Sequence, residues 1–159
     1  MEFFTIGVYN STEESFFEKL VTNKIDTFCD IRQRRGVRGS KYSYVNSNRL
    51  QTRLSELGIN YGHIINLAPH SEIRELQKQA DLIKGELKHE RQSLGEVFQK
   101  EYKNRVLSKF DFEHFLEALE NSGANRVVLF CVEEKPEACH RSMVADKLAN
   151  ELKYNVTHL

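Results

Sequence analysis

The stretch RVVLFCVEEKPEACHRSM, residues 126–143, decides the fold. The strand predicted from Arg126 to Val132 is apolar at consecutive positions from Val127 on, the pattern of a strand buried on both faces and therefore central in a parallel sheet. Beyond it, Pro136 suits the first residue of a helix or the loop just before one. Val144, Leu148 and Leu152 then recur at helical spacing in a helix predicted over Ser142 to Leu152. A central strand thus runs through a polar loop into a helix. That loop holds Cys131, Glu133, Cys139, His140 and Arg141.

Working outward, the same alternation continues. Phe3 to Tyr9 reads as a strand, and Ser11 with Glu14 three residues on predicts a capping box. The helix so opened runs to about Thr22, with Phe16, Phe17, Leu20 and Val21 on one face. Ile25 to Ile31 is a second strand. Arg49 to Leu57 is a helix stopped by a left-handed Gly58, and Ile59 to Ile65 is a third strand. Pro69-His70-Ser71 marks a further helix start. The polar span 72–109 is helix-prone, with a break near Gly85. Asp111 caps a helix carrying Phe112, Phe115, Leu116 and Leu119, and Gly123 ends it. Asn155 to Leu159 is the last strand.

These elements predict an α/β fold: an open, mostly parallel sheet of about five strands with helices on both faces. One domain spans 1–159. Its helix-rich middle, 72–122, exceeds one crossover and is expected to form a cap or side subdomain.

Composition narrows the function classes. The 23 basic and 23 acidic residues cancel, so no global attraction to nucleic acid or membrane is implied. No apolar run approaches the roughly 20 residues of a membrane helix, and the N-terminus lacks a secretory pattern. Three irregularly spaced cysteines, Cys29, Cys131 and Cys139, are not a secreted disulfide framework. A cytoplasmic setting is the expectation.

In open α/β sheets, ligands lie at the carboxyl ends of the strands. The second strand ends Cys29-Asp30-Ile31-Arg32 and the fourth ends Phe130-Cys131-Val132-Glu133; as parallel neighbours they would converge on one crevice. Residues 32–41 hold five cations (Arg32, Arg34, Arg35, Arg38, Lys41) and no acid. Guanidinium forks suit phosphate or carboxylate oxygens, and Tyr42 and Tyr44 suit stacking on a base. Cys139, His140 and Arg141 fall at or near a helix N-terminus, which favours an anion or a thiolate. Each of these residues also has a structural reading: Cys131 as a small apolar filler, and Asp30–Arg141 or Glu133–Arg32 as pairs that only fix the loops.

Three sharper chemistries were weighed from spacing. A zinc site would need three or four ligands drawn from Cys29, Cys131, Cys139, His140 and His158, but the cysteines lack the close pairing of a zinc ribbon or finger, and adjacent Cys139 and His140 rarely share a metal, so no metal site is expected. A phosphatase-type anion loop does not fit, because Arg141 is ten residues from Cys131 with no glycine between. A Cys131–Cys139 redox pair is compatible with the spacing but not demanded by it.

The segments FTIG (4–7), DIR (30–32), LGINYGHI (57–64), CVEEKPEACHRSMVADKL (131–148) and VTHL (156–159) together resemble a bacterial and archaeal family called domain of unknown function 488. RRGVRGSKYSYVNSNRLQ (34–51) is similar to one branch of it. The resemblance implies a compact α/β fold and the pairing of the two loops, and implies no activity.

The expectation is a protein with an anion-binding crevice for a phosphate-bearing small molecule or nucleic acid end, with no cofactor and no membrane. Asp30, Arg32, Arg38 and Arg141 would bind the ligand. Cys139, Cys131, Glu133 and His140 would carry any thiol-dependent catalysis. The alternative is a non-enzymatic nucleic-acid- or protein-binding module, in which the cationic loop docks the partner and the Cys-His-Arg block is structural.

Overall fold

The computed structural model describes residues 1–87 and 90–159. Five strands form one all-parallel sheet: β1 (Glu2–Ile6), β2 (Thr27–Asp30), β3 (Asn60–His63), β4 (Arg126–Phe130) and β5 (Val156–His158), in the order β3-β2-β4-β1-β5. The apolar run of β4 is central as expected. Val127 to Phe130 are fully buried, flanked by β2 (Thr27 opposite Val127, Asp30 opposite Phe130) and by β1 (Ile6 opposite Phe130).

Every strand is shorter than its apolar run, and β1 and β4 stop early at the carboxyl edge, where the chain peels away. The amides of Val8 and Tyr9 both donate to the carbonyl of Val132, so the chain after β1 curls over β4 rather than extending the ladder. These peeling loops form the floor of the candidate site.

Among the described residues six α-helices fill the connections: α1 (Glu13–Thr22), α2 (Ser47–Glu56), α3 (Ser71–Lys84), α4 (Glu96–Tyr102), α5 (Phe112–Asn121) and α6 (His140–Asp146). The steps β1 to β2 and β2 to β3 move toward one edge, and the later steps return. Right-handed crossovers therefore place α1 and α2 on one face and α6 on the other. On the first face Phe16 of α1 packs against Phe28 of β2 and Phe130 of β4, with ring centroids 6.4 and 5.5 Å apart.

Among the boundaries that differ from expectation, two helix starts have a local reason. The cap of α1 is Thr12, paired reciprocally with Ser15, not Ser11 with Glu14. The Ser11 hydroxyl is committed to the turn before the helix, where it donates to the Val8 carbonyl at 2.5 Å and meets the Tyr44 hydroxyl at 2.8 Å. The last helix starts at His140 instead of Ser142 and passes into a π turn, Lys147–Glu151. Pro136 opens a short 3-10 turn to Ala138, Cys139 returns to extended backbone (φ −137°, ψ 146°), and α6 begins on the next residue. Gly58 takes the left-handed φ of 69°, and Asp111 accepts from the His114 amide at 2.9 Å, as read from the sequence.

In the middle segment, α3 ends at Gly85, α4 continues into a π turn over Lys103–Leu107, and α5 follows. Positions 88 and 89 of the helix-prone span lie outside the described residues. This segment turns back onto the loop between β4 and α6: the Leu94 amide donates to the Glu137 carbonyl at 3.0 Å, and the Tyr102 ring meets the His140 ring edge-on at 5.5 Å.

Candidate functional site

The ends of β2 and β4 lie side by side, so the two polar clusters are neighbours in space. The space between them is filled by their own side chains. Asp30, Arg32, Cys131, Glu133, Cys139, His140 and Arg141 are all buried.

Arg32 grips Asp30 with two donors: Nε to Oδ1 at 2.8 Å and Nη2 to Oδ2 at 2.7 Å. The Arg32 amide also donates to Oδ1 at 3.1 Å, and Nη2 reaches the Val45 carbonyl at 3.0 Å. The guanidinium lies over the Phe130 ring, 4.5 Å from its centroid. Tyr61 of β3 donates its hydroxyl to Asp30 Oδ2 at 3.0 Å. Arg32 thus pins the loop after β2. The guanidinium nitrogen Nη1 of Arg32 has no hydrogen-bond partner among the described residues.

Arg141 does the same for the loop after β4. Its Nη1 donates to the Glu133 carbonyl and its Nη2 to the Glu134 carbonyl at 2.7 Å, while Nε is buried without a partner among the described residues. The pairs weighed from sequence, Asp30–Arg141 and Glu133–Arg32, are not formed: each arginine takes the acceptors of its own loop, which lie nearer along the chain.

Glu133 faces the middle segment instead. Arg91 Nη1 lies 3.5 Å from its Oε1. Arg91 also binds Asp81 with two donors (Nη2 to Oδ2 at 2.6 Å, Nε to Oδ1 at 3.2 Å), and Gln77 donates to the same carboxylate at 2.6 Å. This buried cluster ties α3 to the β4–α6 loop. Sequence reasoning missed Arg91, which sits in a polar stretch with no periodicity to announce a buried face.

On the α6 side, three reactive atoms meet. His140 Nδ1 is 3.8 Å from Cys131 Sγ and 3.7 Å from Cys139 Sγ, and all three atoms lie within 4.8 Å of one another. His140 Nε2 is 3.0 Å from the Ile31 carbonyl. A carbonyl only accepts, so Nε2 carries the proton, and in the neutral ring Nδ1 turns its lone pair to the two sulfurs. The spacing argument against a metal fails for this trio. The short 3-10 turn folds Cys139 back toward Cys131, and the switch from extended Cys139 to helical His140 lets adjacent side chains face one point. These residues could hold a soft or borderline metal ion.

The two thiols share their chemistry. Cys131 is pushed up to about 12, first by its hydrogen bond to Cys139 and then by burial. Burial acts to raise Cys139 as well, but the Cys131 thiol and the Arg141 charge outweigh it and hold Cys139 below the ordinary thiol value. Of the two thiols, Cys139 is therefore the one that ionises more readily. Cys29, alone in β2, is pushed up to about 12 by burial and by Asp30.

The exposed part of the site is its cationic rim. Arg34, Arg35, Arg38 and Lys41 stand at the carboxyl edge beyond β2. Tyr42 closes the rim toward β1: its hydroxyl accepts from the Asn10 amide at 3.0 Å and its ring lies 5.3 Å from that of Tyr9. Asn10 in turn reaches Glu134 of the β4 loop at 2.5 Å. Three loops, after β1, β2 and β4, thus meet along one edge. The open depression lined by Lys84, Glu86, Gln92 and Ser93 lies on the middle segment. No helix among the described residues is long and apolar enough to cross a membrane.

The model of the family described as Domain of unknown function DUF488 matches residues 12–148, and the chain belongs to that family. The match takes in the loop after β2, the middle segment and the Cys-His-Arg block. No curated protein and no solved structure matches the chain.

Proposed function

We propose that this member of the family binds a phosphate-bearing ligand, a nucleotide or a nucleic acid end, on the cationic rim at the carboxyl ends of β1 and β2. One observation carries the reading: Arg34 and Arg38 stand exposed at that edge, and neither has an acidic partner among the described residues. In a chain of zero net charge, such unneutralised guanidinium groups are a local attraction, not a bulk one. Gly39, at φ 78°, lets the rim turn tightly enough to bring its backbone near an anion.

On this reading the arginines divide their work. Arg34, Arg35, Arg38 and Lys41 contact the ligand, with Tyr42 beside them as a stacking platform. Arg32 and Arg141, expected from sequence to grip the anion, brace the loops that carry the rim. The burial of Cys131, Glu133, Cys139 and His140 favours a binding role over thiol catalysis at the surface. Three free, buried cysteines fit a reducing, cytoplasmic setting.

The test is fluorescence anisotropy with a single-stranded oligonucleotide, with and without a 5′ phosphate, across a salt series. Binding is expected to weaken steeply with salt. Arg34→Ala and Arg38→Ala should each lower the logarithmic salt slope by about 1. Salt-independent binding, no binding, or variants that bind like the parent chain would overturn the reading.

A further inference from the structure

We propose that Cys131, Cys139 and His140 form a metal site that takes one zinc ion, or a comparable thiophilic divalent cation, between the end of β4 and the start of α6.

The first argument is distance. Zinc–sulfur bonds of about 2.3 Å and zinc–nitrogen bonds of about 2.0–2.1 Å at tetrahedral angles separate sulfur from nitrogen by about 3.6 Å and sulfur from sulfur by about 3.8 Å. The two Sγ–Nδ1 separations here are 3.8 and 3.7 Å, and the third separation falls within the same 4.8 Å limit. The two sulfur–nitrogen separations are therefore those of donors to one shared ion, and the sulfur–sulfur separation is bounded by 4.8 Å.

The second argument is the imidazole. A ligating histidine characteristically donates its other ring N–H to a carbonyl or carboxylate, which fixes the tautomer and the ring plane. His140 has this arrangement: Nε2–H meets the Ile31 carbonyl at 3.0 Å, and Nδ1 faces the sulfurs. One lone pair aimed between two thiols satisfies only one S–H donor. It serves a shared cation fully.

The third argument is charge. Two thiolates, a neutral imidazole and a dication sum to zero, so the loaded site is neutral in a region where Cys131, Cys139 and His140 are each 6 % exposed or less. A neutral site avoids the cost of an unpaired buried charge. Loading releases two thiol protons to solvent and forms two Zn–S bonds and one Zn–N bond, with no change in oxidation state. Three protein ligands leave one tetrahedral position for water or an exogenous donor.

The consequence is architectural. The ion would clamp the β4–α6 loop, which Arg141 of α6 also holds, while the Ile31 carbonyl extends the clamp to the end of β2. The site does not depend on the rim: its ligands are buried, and its test involves no anion.

The experiment titrates the reduced, metal-stripped full-length chain with Co²⁺ under argon. One equivalent should produce a saturable sulfur-to-cobalt charge-transfer band and the intense visible bands of a tetrahedral ion, and Zn²⁺ should abolish both. Cys131→Ser and Cys139→Ser should each weaken or remove the charge-transfer band. Cys29→Ser, which lies outside the trio, should leave it unchanged. Where a variant fails to fold, X-ray absorption on the zinc-loaded parent chain decides, with two sulfurs and at least one nitrogen expected in the first shell. No charge-transfer band at one equivalent, or a first shell without two sulfurs, overturns the site. So does a band that persists in both Cys131→Ser and Cys139→Ser. A Cys131–Cys139 disulfide that, once reduced, leaves a chain binding no cobalt overturns it too and makes the pair a redox couple.

Discussion

Arg32 is tied to Asp30, two residues before it, by a fork of hydrogen bonds at 2.8 and 2.7 Å, and both side chains are at most 3 % exposed. The pair closes the last turn of β2 on itself and hands the chain to the cationic loop. Removing one partner leaves the other charge buried without compensation, which costs about 3–5 kcal/mol in comparable sites. Arg32→Ala and Asp30→Ala are each expected to lower the urea unfolding free energy by about that amount. A change below about 1 kcal/mol would show that the pair is held by its surroundings and does not hold them.

Arg141 poses the same question at the other loop. Its guanidinium holds the carbonyls of buried Glu133 and exposed Glu134. Each such loss costs roughly 1–3 kcal/mol. Arg141→Ala is therefore expected to destabilise the fold by about 2–5 kcal/mol, whereas Arg34→Ala on the rim should change stability by less than about 0.5 kcal/mol. Paired thermal melts check this. An Arg141→Ala protein of undiminished stability would free this arginine for a ligand role.

The loop after β1 is fixed by a close approach. A Cβ on Gly7 would lie 1.9 Å from the Glu133 carbonyl oxygen, the same oxygen that Arg141 holds. Relief requires moving backbone, so Gly7→Ala is expected to cost about 3 kcal/mol or more, at the upper end for overpacking. A urea titration of the variant measures it. A cost under about 1 kcal/mol would mean that the two loops separate easily.

The sheet was legible because its central strand is apolar on both faces, and because the strand and helix periodicities alternate along the chain. The meeting of the Asp30 and Cys131 ends followed from that pattern. Which arginines were spent internally did not, since residue type says nothing about whether a guanidinium faces water or a nearby carbonyl. Arg91 and Asp81 escaped notice because each is one polar residue among many, and their pairing depends on how α3 docks. That Cys131, Cys139 and His140 share one site was legible; that they approach as a ligand set was not, because their closeness comes from one 3-10 turn, which spacing rules for fingers and ribbons do not describe. Ser11 has the sequence signature of a helix cap and the place of a turn residue, since both roles use the same hydroxyl.

Buried acids of high pKa make the fold sensitive to alkali. The Cys29 thiol is pushed up to about 12 by burial. Tyr61 is pushed up to about 12, chiefly by burial, with Arg35 opposing and Asp30 adding, and burial carries Tyr102 well above its ordinary value. In the unfolded chain these groups lose their protons near their ordinary values of about 9 and 10. Above about pH 9 the folded state therefore holds more protons than the unfolded one, and stability falls as pH rises toward about 12. Each such group contributes a slope of up to about 1.4 kcal/mol per pH unit inside its window. Chemical denaturation at about pH 7.5, 9 and 10.5 should show stability level up to about 9 and falling beyond, with the fall shallower in Cys29→Ala. A level profile through about pH 10.5, in the parent chain and in Cys29→Ala alike, would mean that these groups ionise without cost and are reached by solvent in the folded protein.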